Sequence, residues 1–240
     1  MSRTVLITGN SSGLGRGLTG IYLERGWEVY GVSRRGCSGL PGKLKDIHCD
    51  LTDFEAVPVA METLLMGIGH LDAVYLNAGI LGRMQDMHES SLEEIRQVMD
   101  ANVWSNKVLL DWLLGSGIRI DQIVLISSGA AVNGNRGWGA YSISKAALNM
   151  LTQLYAHEFP HTHLCALAPG LIDTAMQDVL CDPQQVDESR FPSVARLRAA
   201  RHTPDMPQPG EAAELIANAL AELKQLPSGS FVDIRTMGKS

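Results

Sequence analysis

The chain lacks several features that would have named a partner outright. It has no surplus of positive charge: over 240 residues the formal net charge is −6. Acids and bases are interspersed, so no basic face is expected and nucleic acid is excluded as the expected partner. No apolar run approaches the roughly 18 residues of a membrane span, and no membrane association is expected. No charged-then-apolar leader precedes the first strand-like run, Thr4 to Thr8, which makes a cytoplasmic location the expectation. Cysteines are few, and Cys37, Cys49, Cys165 and Cys181 form no Cys-x-x-Cys pair, so free thiols are expected. The histidines build no metal pattern. His161 and His163 lie two apart with no carboxylate or cysteine spaced to complete a site, and a surface turn before a strand accounts for them. Repeats, low-complexity tracts and linkers are also missing. One domain over residues 1–240 is the economical expectation, with 45% apolar residues to fill its core.

What is present begins with the stretch from Ser127 to Lys145. It follows the apolar run Ile123 to Ile126, which reads as a buried strand. Turn residues follow, among them Gly129, Asn133, Gly134, Asn135, Gly137 and Gly139. A helix is expected from near Tyr141, because Ile143, Ala147, Met150, Leu151 and Leu154 recur at helical spacing. Tyr141 and Lys145 are four apart and share a face. An ammonium beside a phenol favours the phenolate and lowers a pKa that is ordinarily about 10, toward useful acid–base chemistry. Ser128, at the strand end, offers a hydroxyl to a carbonyl oxygen. Taken alone, a Tyr-x-x-x-Lys pair also occurs on ordinary solvated helices.

Elsewhere strands alternate with helices. Val5 to Ile7 is a strand, followed by Thr8-Gly9-Asn10-Ser11-Ser12-Gly13-Leu14-Gly15 and a helix to about Arg25. Glycines there let the backbone turn tightly and approach a pyrophosphate at the helix N-terminus. The second strand, Glu28 to Val32, ends in Ser33-Arg34-Arg35. An NAD-binding turn usually carries an acid here for the ribose hydroxyl; serine and two arginines suit a 2′-phosphate instead. A plain solvated turn is the alternative. Ile47 to Cys49 is read as a strand ending in Asp50-Leu51. Helical spacing runs from Phe54 to Met66, with Pro58 expected to end or bend its first turn. Ala73 to Leu76 is closed by Asn77-Ala78-Gly79. A long helix is expected from Leu92 to Leu114, capped by Ser90 or Ser91, with Asn102 in its interior. Leu164 to Ala168 ends in Pro169-Gly170, followed by Leu171-Ile172-Asp173-Thr174. Residues 175–208 read as irregular, Glu211 to Leu223 as the last helix, and Phe231 to Ile234 as the last strand. The alternation implies a parallel sheet covered on both faces.

These residues resemble the short-chain dehydrogenase/reductase family over nearly the whole chain. The match rests on Thr8-Gly9-x-x-x-Gly13-x-Gly15, Asp50-Leu51, Asn77-Ala78-Gly79, Asn102, Ser128, Tyr141-x-x-x-Lys145 and Pro169-Gly170-x-Ile172-x-Thr174. The resemblance implies an α/β fold with a Rossmann-like, doubly wound parallel seven-stranded sheet in three layers, and nicotinamide chemistry. It implies that Tyr141 protonates the carbonyl oxygen as hydride arrives, that Lys145 lowers the tyrosine pKa and holds the nicotinamide ribose, and that Ser128 positions the carbonyl. Asn102 would hold a water in a proton relay to Lys145. Asp50 and Leu51 would contact adenine, Asn77 to Gly79 would stabilise the sheet beside the cofactor, and Ile172 and Thr174 would touch the carboxamide. Pro169-Gly-Leu-Ile-Asp-Thr-Ala-Met176-Gln177 is similar to sepiapterin- and benzil-reductase-like members. The family's Gly-Gly after the last strand is replaced by Arg235-Thr236-Met237-Gly238. The basic residue before the second motif glycine is replaced by Ser12, so NADPH rather than NADH is expected from Arg34 and Arg35 alone.

The leading expectation is an NADPH-dependent reductase of a small-molecule ketone or diketone. An NAD-dependent alcohol dehydrogenase would have an acid at Ser33, and a non-catalytic nucleotide-binding regulator would have lost Tyr141, Lys145 or Ser128. A homodimer or homotetramer is expected through the helices from Leu92 and Tyr141, with Trp104, Leu109 and Trp112 either at that contact or facing the sheet. Residues 174–208, at the carboxyl edge of the sheet, are expected to form a substrate lid, with Trp138 as the facing wall.

Overall fold

Apolar runs with no polar side have to be buried on both faces, which is what a parallel sheet between helices provides. The computed structural model describes residues 3–237. Its strands are β1 (Thr4–Thr8), β2 (Glu28–Ser33), β3 (Lys43–His48), β4 (His70–Leu71), β5 (Ala73–Leu76), β6 (Arg119–Ile120), β7 (Gln122–Ile126), β8 (His163–Ala168) and β9 (Ser230–Asp233). Seven of them form one sheet in the order β3-β2-β1-β5-β7-β8-β9, and every pairing is parallel. β4 and β6 pair separately.

The helices are α1 (Gly13–Glu24), α2 (Ala56–Leu64), α3 (Leu92–Met99), α4 (Ser105–Gly115), α5 (Gly139–Glu158), α6 (Ala175–Cys181), α7 (Ser193–Ala200) and α8 (Pro209–Leu223). One face of the sheet packs on α2, α4 and α5 through residues such as Met61, Leu109, Leu113 and Leu148. The other packs on α1 and α8 through Leu18, Tyr22, Ala213 and Ile216. These layers make the expected three-layer, doubly wound α/β fold. The approach of α1 to α8 is close enough that a Cβ on Gly17 would lie 2.4 Å from the Pro209 carbonyl oxygen. β1 has β2 on one side and β5 on the other. The strand order therefore reverses there, and a crevice opens beyond Thr8 and Leu76, where such sheets bind ligands.

Several expected boundaries differ. β3 begins at Lys43 rather than Ile47, because an edge strand exposes alternate residues and lysines can occupy them. Pro58 lies in the first turn of α2, where its missing N–H costs no intrahelical bond, so the helix is not broken. The expected helix from Leu92 to Leu114 is instead α3 and α4 joined by a π-helical turn, Asp100–Trp104. Ser91 is its N-cap, accepting from the Glu94 N–H, while the Glu94 carboxylate accepts from the Ser91 N–H. Leu109 faces the sheet and is fully buried, whereas Trp104 is exposed. Residues 175–208 are not irregular: they contain α6 and α7. Of the segment after the last strand, Arg235 to Met237 is described and Gly238 lies outside the described residues. No helix among the described residues is long and apolar enough to cross a membrane, and all four cysteines are free thiols.

Candidate active site

The crevice at the carboxyl ends of the strands is a cleft of about 670 Å³. At one end stand Ser33, Arg34, Arg35, Asp50 and Leu51. The middle is the turn from β1 to α1, with Gly9, Ser11, Ser12, Gly13 and Leu14, facing Asn77, Ala78 and Gly79. At the other end are Ser128, Tyr141, Lys145, Pro169, Gly170, Ile172 and Thr174. Sequence motifs far apart in the chain are thus brought to one site. Two expected members do not line it. Gly15 lies within α1, where a Cβ would fall 2.3 Å from the Gly9 carbonyl oxygen, so it lets the turn close on itself. Asn102 is fully buried.

The cleft fits a dinucleotide on the geometry of its own residues. Gly9 has φ +69°, and a Cβ there would lie 2.9 Å from the Ala78 α-carbon, so only glycine leaves the backbone free to approach a phosphate. The Asn77 amide donates to the Thr8 carbonyl at 3.0 Å, and the Thr8 hydroxyl accepts from the Asn77 N–H at 2.9 Å; together they tie the floor of the crevice. The Ser33 hydroxyl is buried and has no hydrogen-bond partner, an orphan beside two exposed arginines. Arg35 reaches back to donate to the Ser12 hydroxyl at 3.1 Å, so it bridges the second strand end and the glycine turn. Asp50 is held below its ordinary carboxyl pKa, chiefly by the Thr52 backbone N–H and also by the Thr52 hydroxyl and the Arg34 cation.

At the far end, α5 starts at Gly139 and carries Tyr141 and Lys145 one turn apart. The Tyr141 phenol and the Ser128 hydroxyl meet at this end of the cleft, and Ser128 also accepts from the Ala130 N–H at 3.1 Å. Burial pushes the phenol above its ordinary pKa, and the neighbouring Ser128 hydroxyl only partly opposes this. The lowering expected from Lys145 is not found: desolvation sets the direction and Ser128 alone opposes it. Lys145 is itself affected: burial lowers its ammonium from 10.5 to about 8, and its Nζ donates to the Ile126 carbonyl at 2.7 Å while lying 5.7 Å from the Tyr141 ring centre.

Asn102 clamps the loop after β5. Its Oδ1 accepts from the Ile80 N–H at 2.7 Å, its amide donates to the Ile80 carbonyl at 2.8 Å and to the Ser144 hydroxyl at 2.9 Å. Its backbone carbonyl accepts from the Asn106 amide at 2.8 Å. Asn102 therefore borders Lys145 through the preceding Ser144 and through Gly79, whose missing Cβ would stand 3.0 Å from Asn102 Oδ1 and 3.6 Å from Lys145 Nζ.

The wall above Tyr141 was only partly foreseeable. Trp138 does face the cleft, its ring 6.0 Å from that of Tyr141, and its indole N–H donates to the Ser193 hydroxyl of α7 at 2.8 Å. Leu171, Met176, Leu180 and Leu197 complete an apolar surface. The segment is fastened by long-range ion pairs. The Asp86 carboxylate accepts from Arg136 at 2.6 Å and from Arg190 at 2.9 Å, and Arg201 donates to Asp173 at 3.2 Å. At the opposite, amino end of the strands His70, Asp72 and Asp121 come together, a grouping the sequence spacing did not reveal. Arg119 lies 3.1 Å from His70 Nε2 and the Thr4 N–H donates to Asp72 at 2.8 Å, so those atoms already have partners.

Comparison with known proteins agrees with this geometry. Residues 3–185 match the family model described as short chain dehydrogenase. A benzil reductase ((S)-benzoin forming) of Bacillus subtilis is 32% identical, with 96% of this chain and 97% of that one covered. A crystal structure of a short chain dehydrogenase/reductase from Saccharomyces cerevisiae superposes with a TM-score of 0.85, at 23% identity and coverage of 98% and 97%, and bears on the fold alone. A proposed NAD(P)-dependent gluconate 5-dehydrogenase from Beutenbergia cavernae, its structure holding bound NADP, is 26% identical with a TM-score of 0.77 and coverage of 97% and 94%. The chain belongs to the short-chain dehydrogenase/reductase family of oxidoreductases, among its benzil reductase-like members.

Proposed function

We propose that the protein reduces a bulky ketone or diketone to an alcohol with NADPH, in one domain whose residues 174–208 form the substrate lid. The observation that carries this reading is the meeting of the Tyr141 and Ser128 hydroxyls at the end of a dinucleotide-shaped cleft, beneath an apolar wall. A bound nicotinamide supplies the hydride. The chain's own residues do the rest. Ser128 donates to the carbonyl oxygen and holds it beside Tyr141. Because burial raises the phenol pKa, Tyr141 carries its proton at neutral pH, which is the form a reduction requires. It gives that proton to the oxygen as negative charge develops there. The phenolate left behind is stabilised by Ser128 and by Lys145, which at an ammonium pKa of about 8 remains largely protonated at neutral pH. Asn102 keeps the Ile80 loop, and through Gly79 the floor beneath Lys145, in place.

NADPH is favoured over NADH because the end of β2 presents Ser33, Arg34 and Arg35 with no carboxylate among them. Bulky, aromatic carbonyl compounds are favoured because Trp138, Leu171, Met176 and Leu180 offer apolar area and little polarity; the Bacillus relative's named activity lies in this substrate class. The protein acts as a homodimer or homotetramer in the cytoplasm. Exposed Trp104 on the turn before α4 and exposed Ile143, Met150 and Leu154 on α5 support the assembly. The test is NADPH oxidation with benzil as substrate. Tyr141→Phe keeps the ring and loses the proton donor, so turnover falls about 10²-fold or more while NADPH affinity is retained. Near-normal turnover of that variant overturns the acid assignment.

A further inference from the structure

We propose that Gln177 is a specificity residue of this site: its carboxamide binds a second oxygen function on the substrate, next to the carbonyl that is reduced. The inference rests on the reductase reading above and narrows its substrate class to vicinally oxygenated ketones, that is 1,2-diketones and their α-hydroxy ketone products.

Gln177 follows Met176 on α6 and precedes Leu180, two of the residues that give the cleft its apolar surface. Gln177 is 8% exposed, lines the cleft, and its Oε1 is sealed from solvent without a hydrogen-bond partner. Neither end of its carboxamide is bonded to any other described residue. Its backbone, in contrast, is held from both sides. The N–H donates to the Thr174 carbonyl at 2.7 Å, and the carbonyl accepts from Arg201 at 3.4 Å, which itself donates to Asp173 and Asp178. A buried amide whose backbone is held and whose oxygen is left unpaired beside the cleft is unfavourable until a turn of its carboxamide brings that oxygen to a ligand group.

Tyr141 and Ser128 together satisfy one substrate oxygen, so the partner of Gln177 is another group. A carboxamide offers a donor and an acceptor, and a half-turn about its last bond exchanges them in the same space. It can donate to the second carbonyl of a diketone and accept from the hydroxyl of the α-hydroxy ketone. A substrate able to meet it gains over one that leaves it unpaired, which is how polar groups discriminate more sharply than apolar walls.

The experiment compares benzil with deoxybenzoin, which has the same skeleton without the second carbonyl oxygen, as substrates for NADPH oxidation by the full chain. Because a diketone is intrinsically the more reactive, the readout is the change in the benzil-to-deoxybenzoin ratio of kcat/KM between variants. Gln177→Leu lowers that ratio about ten-fold or more, mainly through a higher KM for benzil. Gln177→Glu has the same size, keeps the acceptor and loses the donor, so benzil reduction falls more than benzoin oxidation; this variant also serves if the leucine variant does not fold. NADPH binding by fluorescence verifies that each variant is intact. An unaltered ratio, or equal losses with both substrates, overturns the role of Gln177 while leaving the reductase reading standing. If the unmodified protein turns over neither compound, the reductase reading itself fails, and this inference with it.

Discussion

Lys145 is the residue whose replacement should separate stability from activity most cleanly. The residue is 4% exposed, its ammonium has the Ile126 carbonyl as hydrogen-bond acceptor at 2.7 Å, and it pairs with no carboxylate among the described residues. Burial lowers its pKa from 10.5 to about 8. A drop of that size corresponds to about 3 kcal/mol of unfavourable folding energy when the group is charged, as it is at neutral pH. Lys145→Met keeps most of the side-chain volume and removes the charge. Loss of the bond to Ile126 offsets about 1 kcal/mol of the gain, so the cofactor-free variant should be more stable by about 2 kcal/mol at pH 7, or roughly 4–8 °C in Tm for a chain of this size. The pH dependence has a definite sign. Between pH 8 and 10.5 the folded lysine holds fewer protons than the unfolded one, so wild-type stability rises with pH across that window and the gap to the variant closes. Paired thermal scans from pH 7 to 10 measure this, and taking differences cancels the other titrating groups. At the same time the variant should lose turnover and bind NADPH more weakly. A variant that is less stable at pH 7, or a gap that stays constant with pH, refutes the reasoning.

The other expectations concern the cofactor, the lid and the assembly. NADPH should bind at least about ten-fold more tightly than NADH, and alanine at both Arg34 and Arg35 should remove most of the difference; equal affinities in the unmodified protein count against the 2′-phosphate reading. Amide hydrogen exchange across residues 174–198 should slow when NADPH and benzil bind together, as closure excludes water from the reaction, and exchange that does not change refutes a lid. Light scattering at micromolar concentration should give at least twice the chain mass of 26.0 kDa, and a mass of one chain rejects the dimer or tetramer.

The parts of this protein that could be read from its sequence are those governed by local chemistry. A glycine turn after a buried strand, Tyr141 and Lys145 one helical turn apart, and Asn77 to Gly79 at a strand end each declare themselves within a few residues. The parts that could not be read depend on distant partners. α6 and α7 are hidden by Pro183, Pro192 and charges that look solvated, yet Arg190 meets Asp86 and Arg198 donates to Glu188 and to the Val186 carbonyl. β4 and β6 have only two residues each, too few for periodicity to register. The direction of the Tyr141 pKa is not legible in the sequence, because spacing shows a neighbouring charge but not the burial that raises the phenol. Gln177 looks in sequence like one polar position on a short helix; only the folded cleft reveals that its amide has been left alone.

The π-helical turn at Asp100–Trp104 has a consequence for how this chain tolerates change in length. A wider turn accommodates an additional residue within an otherwise α-helical path. Deleting a single residue there would allow an unbroken helix with more regular backbone bonding. Because the wider turn already absorbs that residue, Leu109 and Leu113 would keep their face on the sheet, and the change would fall on Asn102 and its bonds to Ile80. Point substitutions in this turn should therefore be milder than deletions, and any relative that has lost a residue here must have rebuilt the loop beside Lys145.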